Sequence, residues 1–298
     1  MGDLPFAIEL AGQGVANGLM YSLVALGFVL IYKATDAINF AQGEFVMIAG
    51  IVIAALASDA YGFPLWLALF AGLVFMVLFN IGLERVVLRP LIGRPIVSII
   101  MATIGLAAIL RGFGPMVFGS APRGLALPIP DAPVIFGPFF FSPIQLVGAS
   151  VSILFLLGFG WFFLKTRKGV AMRAVADSHQ VSSAMGINVE KYFALAWVMA
   201  GVVAMLGGVL WGSMSGVDTQ LALVGLKVFP VVILGGLDSI IGVIVGGIII
   251  GLIEALASGF IDPYVGGGTK DFAPYVLMII MLMIRPYGLF GRKLIERI

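Results

Sequence analysis

Separated runs of about twenty apolar residues, repeated along nearly the whole chain, constrain this sequence more than any other feature. A helix rises about 1.5 Å per residue, so each run matches a hydrocarbon core roughly 30 Å thick. Hydrophobic residues make up 61% of the 298 positions and charged residues 11%, against roughly 45–50% and about 25% in soluble domains. A soluble fold has no interior large enough for that surface. The predicted fold class is therefore an all-α polytopic membrane protein, one transmembrane domain over 1–298. Its 40 glycines allow close helix approach in lipid, where no hydrophobic force drives helix onto helix.

The predicted spans are 6–32, a second run ending near Ala57, then 63–83, 95–114, 144–164 and 192–212. A polar break, 35–44, precedes the second run, and a hinge at Asp59-Ala60-Tyr61-Gly62 follows it. Arg111 is expected near the far end of the fourth span. Prolines 115, 122, 128, 130, 133, 138 and 143 make a regular helix improbable in the loop 119–143, which is expected outside the cell. The last third is less regular: 221–234, a Gly235 to Ser239 break, 240–261, and a final span from Phe272 with Arg285 near its end. The total is about eight or nine crossings, with broken helices and an internal repeat.

Orientation follows from the basic residues, because loops rich in Lys and Arg stay cytoplasmic. Thirteen of the seventeen fall on one side: Lys33, Arg85, Arg89, Arg94, Lys165, Arg167, Lys168, Arg173, Lys191, Arg285, Arg292, Lys293 and Arg297. Arg111, Arg123 and Lys270 fall on the other, and Lys227 lies within the membrane. The N-terminus is thus expected outside and the C-terminus in the cytoplasm, which favours an odd number of crossings. The first ten residues carry Asp3 and Glu9 and no basic residue, so the first run is expected to be a retained span rather than a cleaved signal.

Several classes of chemistry are excluded or disfavoured. There is no cysteine, and the lone histidine, His179, has no partner for a metal site. No phosphate-cradling Gly-x4-Gly-Lys-Ser/Thr loop occurs, so no nucleotide cofactor is expected on this chain and any ATP is used by other subunits. No hydrolase or protease arrangement is present, which argues against an enzyme. A net charge of +2 gives no basis for nucleic-acid binding.

Three features remain as candidates for mechanism. The segment 165–191 reads as one short amphipathic cytoplasmic helix with Val170, Ala174, Val181 and Met185 at near-helical spacing and Gly186 as its C-cap, either a solvated connector or a docking surface. The breaks at Asn39 to Glu44 and Gly235 to Ser239 each precede a glycine-containing apolar run. Paired breaks are a trace of repeated transporters, whose unwound backbone lines the path, although interfacial turns give the same pattern. Glu44, Lys227, Asp238 and Glu254 are ionisable residues within apolar runs, where a charge costs at least about 2.5–3.5 kcal/mol at the bilayer centre. Glu44 and Lys227 are the first to examine. Gly242-x3-Gly246 and Gly247-x3-Gly251 read as helix-packing motifs.

The stretch Ala37-Ile38-Asn39-Phe40-Ala41-Gln42-Gly43-Glu44-Phe45-Val46-Met47-Ile48 resembles the I-N-F-A-x-G-E-x-x-M signature of LivH-type permeases of branched-chain amino-acid ABC importers. Arg173 to Asp177 with Met185 to Asn188, Lys227 to Phe229 through Leu234 to Gly242, and Arg285 to Gly291 agree with that family in order, so the likeness runs from about residue 10 to 291. The resemblance implies a bacterial inner-membrane importer with a LivM-type second permease, two ABC ATPase subunits and a periplasmic binding protein. The two breaks and the ionisable residues within apolar runs put the expected translocation path at Asn39, Gln42, Glu44, Lys227, Gly235, Gly236 and Asp238. The resemblance also implies an ATPase-coupling helix carrying Gly169, Arg173, Ala174, Ala176, Asp177, Met185 and Gly186. Many members have Gly and Pro in the second break where this chain has Asp238 and Ile241, and the family also includes urea, amide and aromatic-acid importers. A stand-alone channel or secondary transporter is the rival expectation.

Overall fold

The computed structural model describes residues 3–58, 61–91, 94–119, 121–137 and 139–291. Asp59 and Ala60 of the predicted hinge, Pro138, and the basic residues Arg292, Lys293 and Arg297 lie outside that set. In chain order the elements are α1 (Asp3–Thr35), α2 (Gln42–Ala57), α3 (Leu65–Leu83) and α4 (Ile96–Phe118), then the strands β1 (Val134–Phe136) and β2 (Phe139–Phe141). They continue as α5 (Pro143–Lys165), α6 (Arg167–Asp177), α7 (His179–Ala184), α8 (Val189–Ser215), α9 (Leu223–Gly235), α10 (Ile240–Phe260), α11 (Asp262–Val265) and α12 (Thr269–Ile284). Six described helices are long and apolar enough to span a membrane: Leu4–Thr35, Leu65–Leu91, Ile96–Phe118, Pro143–Lys165, Val189–Ser215 and Ile240–Phe260. Gln42–Ala57 and Thr219–Gly235 are shorter apolar helices.

The chain divides into two compact units, each assembled from separated stretches rather than from a sequence half. The first contains Met1–Ala25, Pro128–Leu156 and Lys227–Ile298; the second contains Leu26–Leu127 and Leu157–Leu226.

In the second unit α2 is the centre. Every residue from Gln42 to Ala55 is buried, as expected for a helix that is apolar all round. It packs against α3, α4 and α8. Phe45 meets the rings of Phe79 and Trp197 edge-on. The start of α2 can approach the chain around Ala222 only because residue 43 has no side chain, since a Cβ there would lie 2.2 Å from the Ala222 carbonyl oxygen. Helix α3 runs on through a π-turn (Glu84–Leu88) and a 3-10 turn (Arg89–Leu91), so part of the stretch expected to be a basic loop is helical. Buried Glu84 holds this extension by accepting from Arg89 Nε (3.1 Å) and Nη2 (2.9 Å), and Arg89 also reaches Glu190 at the start of α8. Arg123 and Val217 exchange two backbone hydrogen bonds, which sets the end of α4 and the end of α8 on one side.

In the first unit the glycines of α10 act as the sequence suggests. Gly247 and Gly251 lie against the backbone of α1 at Gly18 and Gly14, while Gly242 and Gly246 lie against α9 at Gly235 and Val231. Ser22 Oγ adds a bond across the α1–α10 contact to the Val243 carbonyl (3.1 Å). The strands pair antiparallel, Val134 opposite Phe141, and are the sheet found among the described residues of the proline-rich loop. Between α10 and α12, Asp262 accepts from the Thr269 hydroxyl and amide and from Ser258, and these bonds hold its carboxyl below the usual carboxylate range.

Candidate functional site

Helix α1 stops where Asp36 takes a left-handed conformation (φ 54°) and donates its amide to the Tyr32 carbonyl (2.8 Å). Residues 36–41 then run without helical structure to α2. This break is satisfied largely by side chains. Ala41 N donates to Asn39 Oδ1 (3.1 Å) and Phe40 N to Thr103 Oγ1 (3.3 Å), and the Thr103 hydroxyl, whose shorter bond goes to Ile100 O of its own helix (2.9 Å), lies 3.4 Å from the Ile38 carbonyl. Gln42 Nε2 donates across to the Ala200 carbonyl of α8 (3.3 Å).

These partners fix the depth of the break. Thr103 lies about 10 Å along α4 from Ile96, and Ala200 about 17 Å along α8 from Val189, at 1.5 Å per residue. The broken backbone therefore lies alongside the bodies of two long apolar helices, where protein or an aqueous cavity must satisfy it. Among the described residues three buried amide atoms near it have no hydrogen-bond partner: Asn39 Nδ2, Gln42 Oε1 and Asn80 Oδ1. Asn80 packs against Gly201, the residue after Ala200. Unpaired polar atoms in a dry interior cost about 1–3 kcal/mol each, and a water or a polar solute beside them would remove that cost.

One turn into α2, Glu44 forms an ion pair with Arg111 of α4. The Glu44 side chain is 3% exposed and that of Arg111 52%. Arg111 lies about 22 Å from the start of α4 and about 10 Å from its end. Sequence analysis placed Arg111 near the far end of a span closing at Gly114, on the outer side. The helix continues past Gly114 through Pro115 to Phe118, and Arg111 shares its side of α4 with exposed Ile104 and Ala108.

The second break differs. Gly236 (φ 105°) donates to the Val232 carbonyl (2.9 Å), Ser239 to Gly236 (3.1 Å), and the Ser239 hydroxyl caps α10 by accepting from Gly242 N (3.0 Å). The chain beyond α12 closes it, with Leu289 N donating to Leu234 O (2.8 Å) and Phe290 N to Gly235 O (3.1 Å). The end of α9, the start of α10 and the stretch after α12 thus meet as a turn sealed by backbone. Asp238 sits in that turn with polar or charged company of its own. Lys227 is a clamp, bonded to Asp271 of α12 (2.8 Å) and 3.7 Å from Glu254 of α10. Glu44 and Lys227, the two residues first singled out, have separate partners, one set in each unit.

The connector between α5 and α8 is not one helix. Ser178 is extended and caps a new helix by accepting from Val181 N (3.3 Å), so α6 and α7 replace the single predicted helix. The expected apolar stripe is exposed at Val170, Val181 and Met185, while Gly169, Met172, Val175 and Ser182 face inward. Gly186 (φ 80°) ends α7 as predicted, with Gly186 N bonded to Ser183 O and Ile187 N to Ser182 O. Gly169 fits because a Cβ there would lie 2.4 Å from the Phe162 and Phe163 carbonyl oxygens. Arg173 bonds the Leu164 carbonyl (3.3 Å) and, with Lys33, lies over the Phe163 ring. Ala174 and Ala176 are half-buried, and Asp177 is exposed at the end of α6.

Residues 10–284 match the family described as "Branched-chain amino acid transport system / permease component". The chain belongs to this permease family. It is 31% identical to the high-affinity branched-chain amino acid transport system permease protein LivH of Salmonella typhimurium over 302 residues, 96% of each chain. It is 29% identical to BraD, of the same description, from Pseudomonas aeruginosa over 301 residues, again 96% of each. The probable LivH of Methanocaldococcus jannaschii is 31% identical over 303 residues, 97% of this chain and 94% of that one. The stretch 37–48, on which the resemblance was first read, covers most of the break and the first turns of α2. Arg111 and Asn80 are the functional candidates missed from sequence. Their signals were present, a basic and an amide residue inside apolar runs, but their neighbours, Glu44 for Arg111 and Gly201 for Asn80, are set by tertiary packing.

Proposed function

We propose that this chain is the membrane-spanning subunit of an ATP-driven importer for branched-chain amino acids, and that solute passes beside the deep break at Asn39, Gln42, Glu44 and Arg111. The carrying observation is the side-chain-satisfied break beside the bodies of α4 and α8, with a charged pair and three unpartnered buried amide atoms. Irregular backbone at that depth is tolerated only where protein or a watery cavity covers it. Transport class and substrate follow from the relatives' descriptions.

Energy comes from outside the chain. The partners are a LivM-type permease, two ABC ATPase subunits and a periplasmic binding protein, and ATP is hydrolysed on the ATPases. The 165–191 connector is the coupling element: exposed Val170, Val181 and Met185 supply an apolar docking face, and Arg173 with Gly169 fixes α6 to the end of α5. Counting α1, α2, α3, α4, α5, α8, α9, α10 and α12 gives about nine crossings, with the N-terminus outside, the C-terminus inside and the 119–143 loop external. The Arg123–Val217 bridge supports that topology, because both residues then lie outside. Gly235, Gly236 and Asp238 form the inner seam of the first unit, and Lys227 is its clamp.

In the reconstituted four-component complex, deletion of 172–185 is expected to abolish hydrolysis stimulated by loaded binding protein. Hydrolysis at the wild-type level, with the ATPases still bound, would contradict the coupling role.

A further inference from the structure

The Glu44–Arg111 pair has an unusual asymmetry: the carboxylate is enclosed and the guanidinium is half uncovered. Arg111 donates to Glu44 through Nη2, and among the described residues no hydrogen bond engages its remaining N–H groups. A guanidinium carries five N–H donors in a planar fork that matches a carboxylate. Its surroundings give that fork room: Ala108, one turn earlier on the same side of α4, is exposed, and at the adjoining Gly112 a Cβ would meet nothing within 4 Å. Ile104, on the same side of α4, is apolar, and among the described residues Glu44 is the acid that pairs with Arg111.

We propose that Arg111 is the group in the path that recognises charge, taking the α-carboxylate of the passing amino acid on its free N–H edge, with Glu44 as the positioning residue behind it. The inference rests on the function proposed above and adds the contact that selects the solute. Glu44 has two effects. It holds the guanidinium in one orientation, and its negative charge offsets Arg111 so that the pair is neutral overall. Recognition by the exposed edge is then directional but weak enough for release, the balance that any conducting site needs. Glu44, being enclosed, does not compete for the solute's ammonium group.

The alternative source of a carboxylate is an acidic side chain of the second permease, and the experiment separates the two. The complete importer is purified through its second permease and reconstituted with saturating binding protein and leucine. Leucine moved per ATP hydrolysed is then measured for the wild type, Arg111→Gln, Arg111→Lys and Arg111→Glu. Expected is normal co-purification of every variant, a fall in that ratio of about tenfold for Arg111→Gln and more for Arg111→Glu, and only partial recovery for Arg111→Lys, which keeps the charge and loses the fork. An unchanged ratio for Arg111→Gln overturns the proposal. So does loss of co-purification in Arg111→Glu with Arg111→Gln unaffected, which assigns the guanidinium to the partner chain. Absence of ATP-dependent leucine uptake by the wild type would instead sink the proposed function itself.

Discussion

The two breaks look alike in sequence and are built differently. At 36–41 the backbone is held by Asn39, Thr103 and Thr35 side chains, beside the bodies of α4 and α8. At 236–239 it is held by backbone, with Leu289 and Phe290 closing the turn where helix ends meet. A break that borrows side chains can be rearranged by moving a neighbouring helix. A break sealed by main-chain bonds and glycine contacts fixes the seam it lies in. Glycine or proline near an apolar run thus marks an interruption, and the partners of the interrupted backbone decide whether it is a route or a joint.

The largest effect that sharpens this contrast is on transport. Glu44→Ala leaves Arg111 unpaired at membrane depth and is expected to cut ATP-driven uptake at least about tenfold, with the complex still assembled. Asp238→Ala, at the sealed turn, is expected to change uptake by less than about twofold. Equal losses in vesicle assays of the two variants would erase the distinction.

A smaller effect runs the other way, on stability. Gly236 has φ 105°, and a Cβ there would lie 2.5 Å from the Gly291 amide nitrogen. Gly236→Ala is expected to cost about 1–3 kcal/mol and lower the thermal midpoint of the purified complex by several degrees. Asp36→Gly, which relieves the left-handed residue of the deep break, is expected to leave that midpoint unchanged or slightly higher. A reversed order would mean that the deep break, not the sealed one, fixes the structure.

Much of this was legible in the sequence because the apolar runs are long and their ends are marked. Lys33 precedes the end of α1 by two residues, Ser239 caps α10, and Gly186 terminates α7, all local signals with local causes. The misplacements have physical causes too. Pro115 reads as a helix end, yet α4 tolerates it one turn before its terminus and runs four residues past the expected end at Gly114. The Asp177-Ser178-His179 step reads as helical by spacing, yet the Ser178 hydroxyl caps a new start there and splits the connector. The pairing of Glu44 with Arg111, and of Lys227 with Asp271 and Glu254, depends on tertiary packing across tens of residues, and no periodicity encodes it.

The central claim is that an aqueous route runs past the deep break. The chain contains no cysteine, so a single Ala108→Cys substitution beside Arg111 gives a clean reporter. In the assembled importer this thiol is expected to react with a charged, membrane-impermeant methanethiosulfonate, at a rate that changes by about fivefold or more between nucleotide-free and ATP-bound complexes. No reaction in either state, with a cysteine in the external loop labelled normally, would place this face of α4 against lipid or protein and contradict the route.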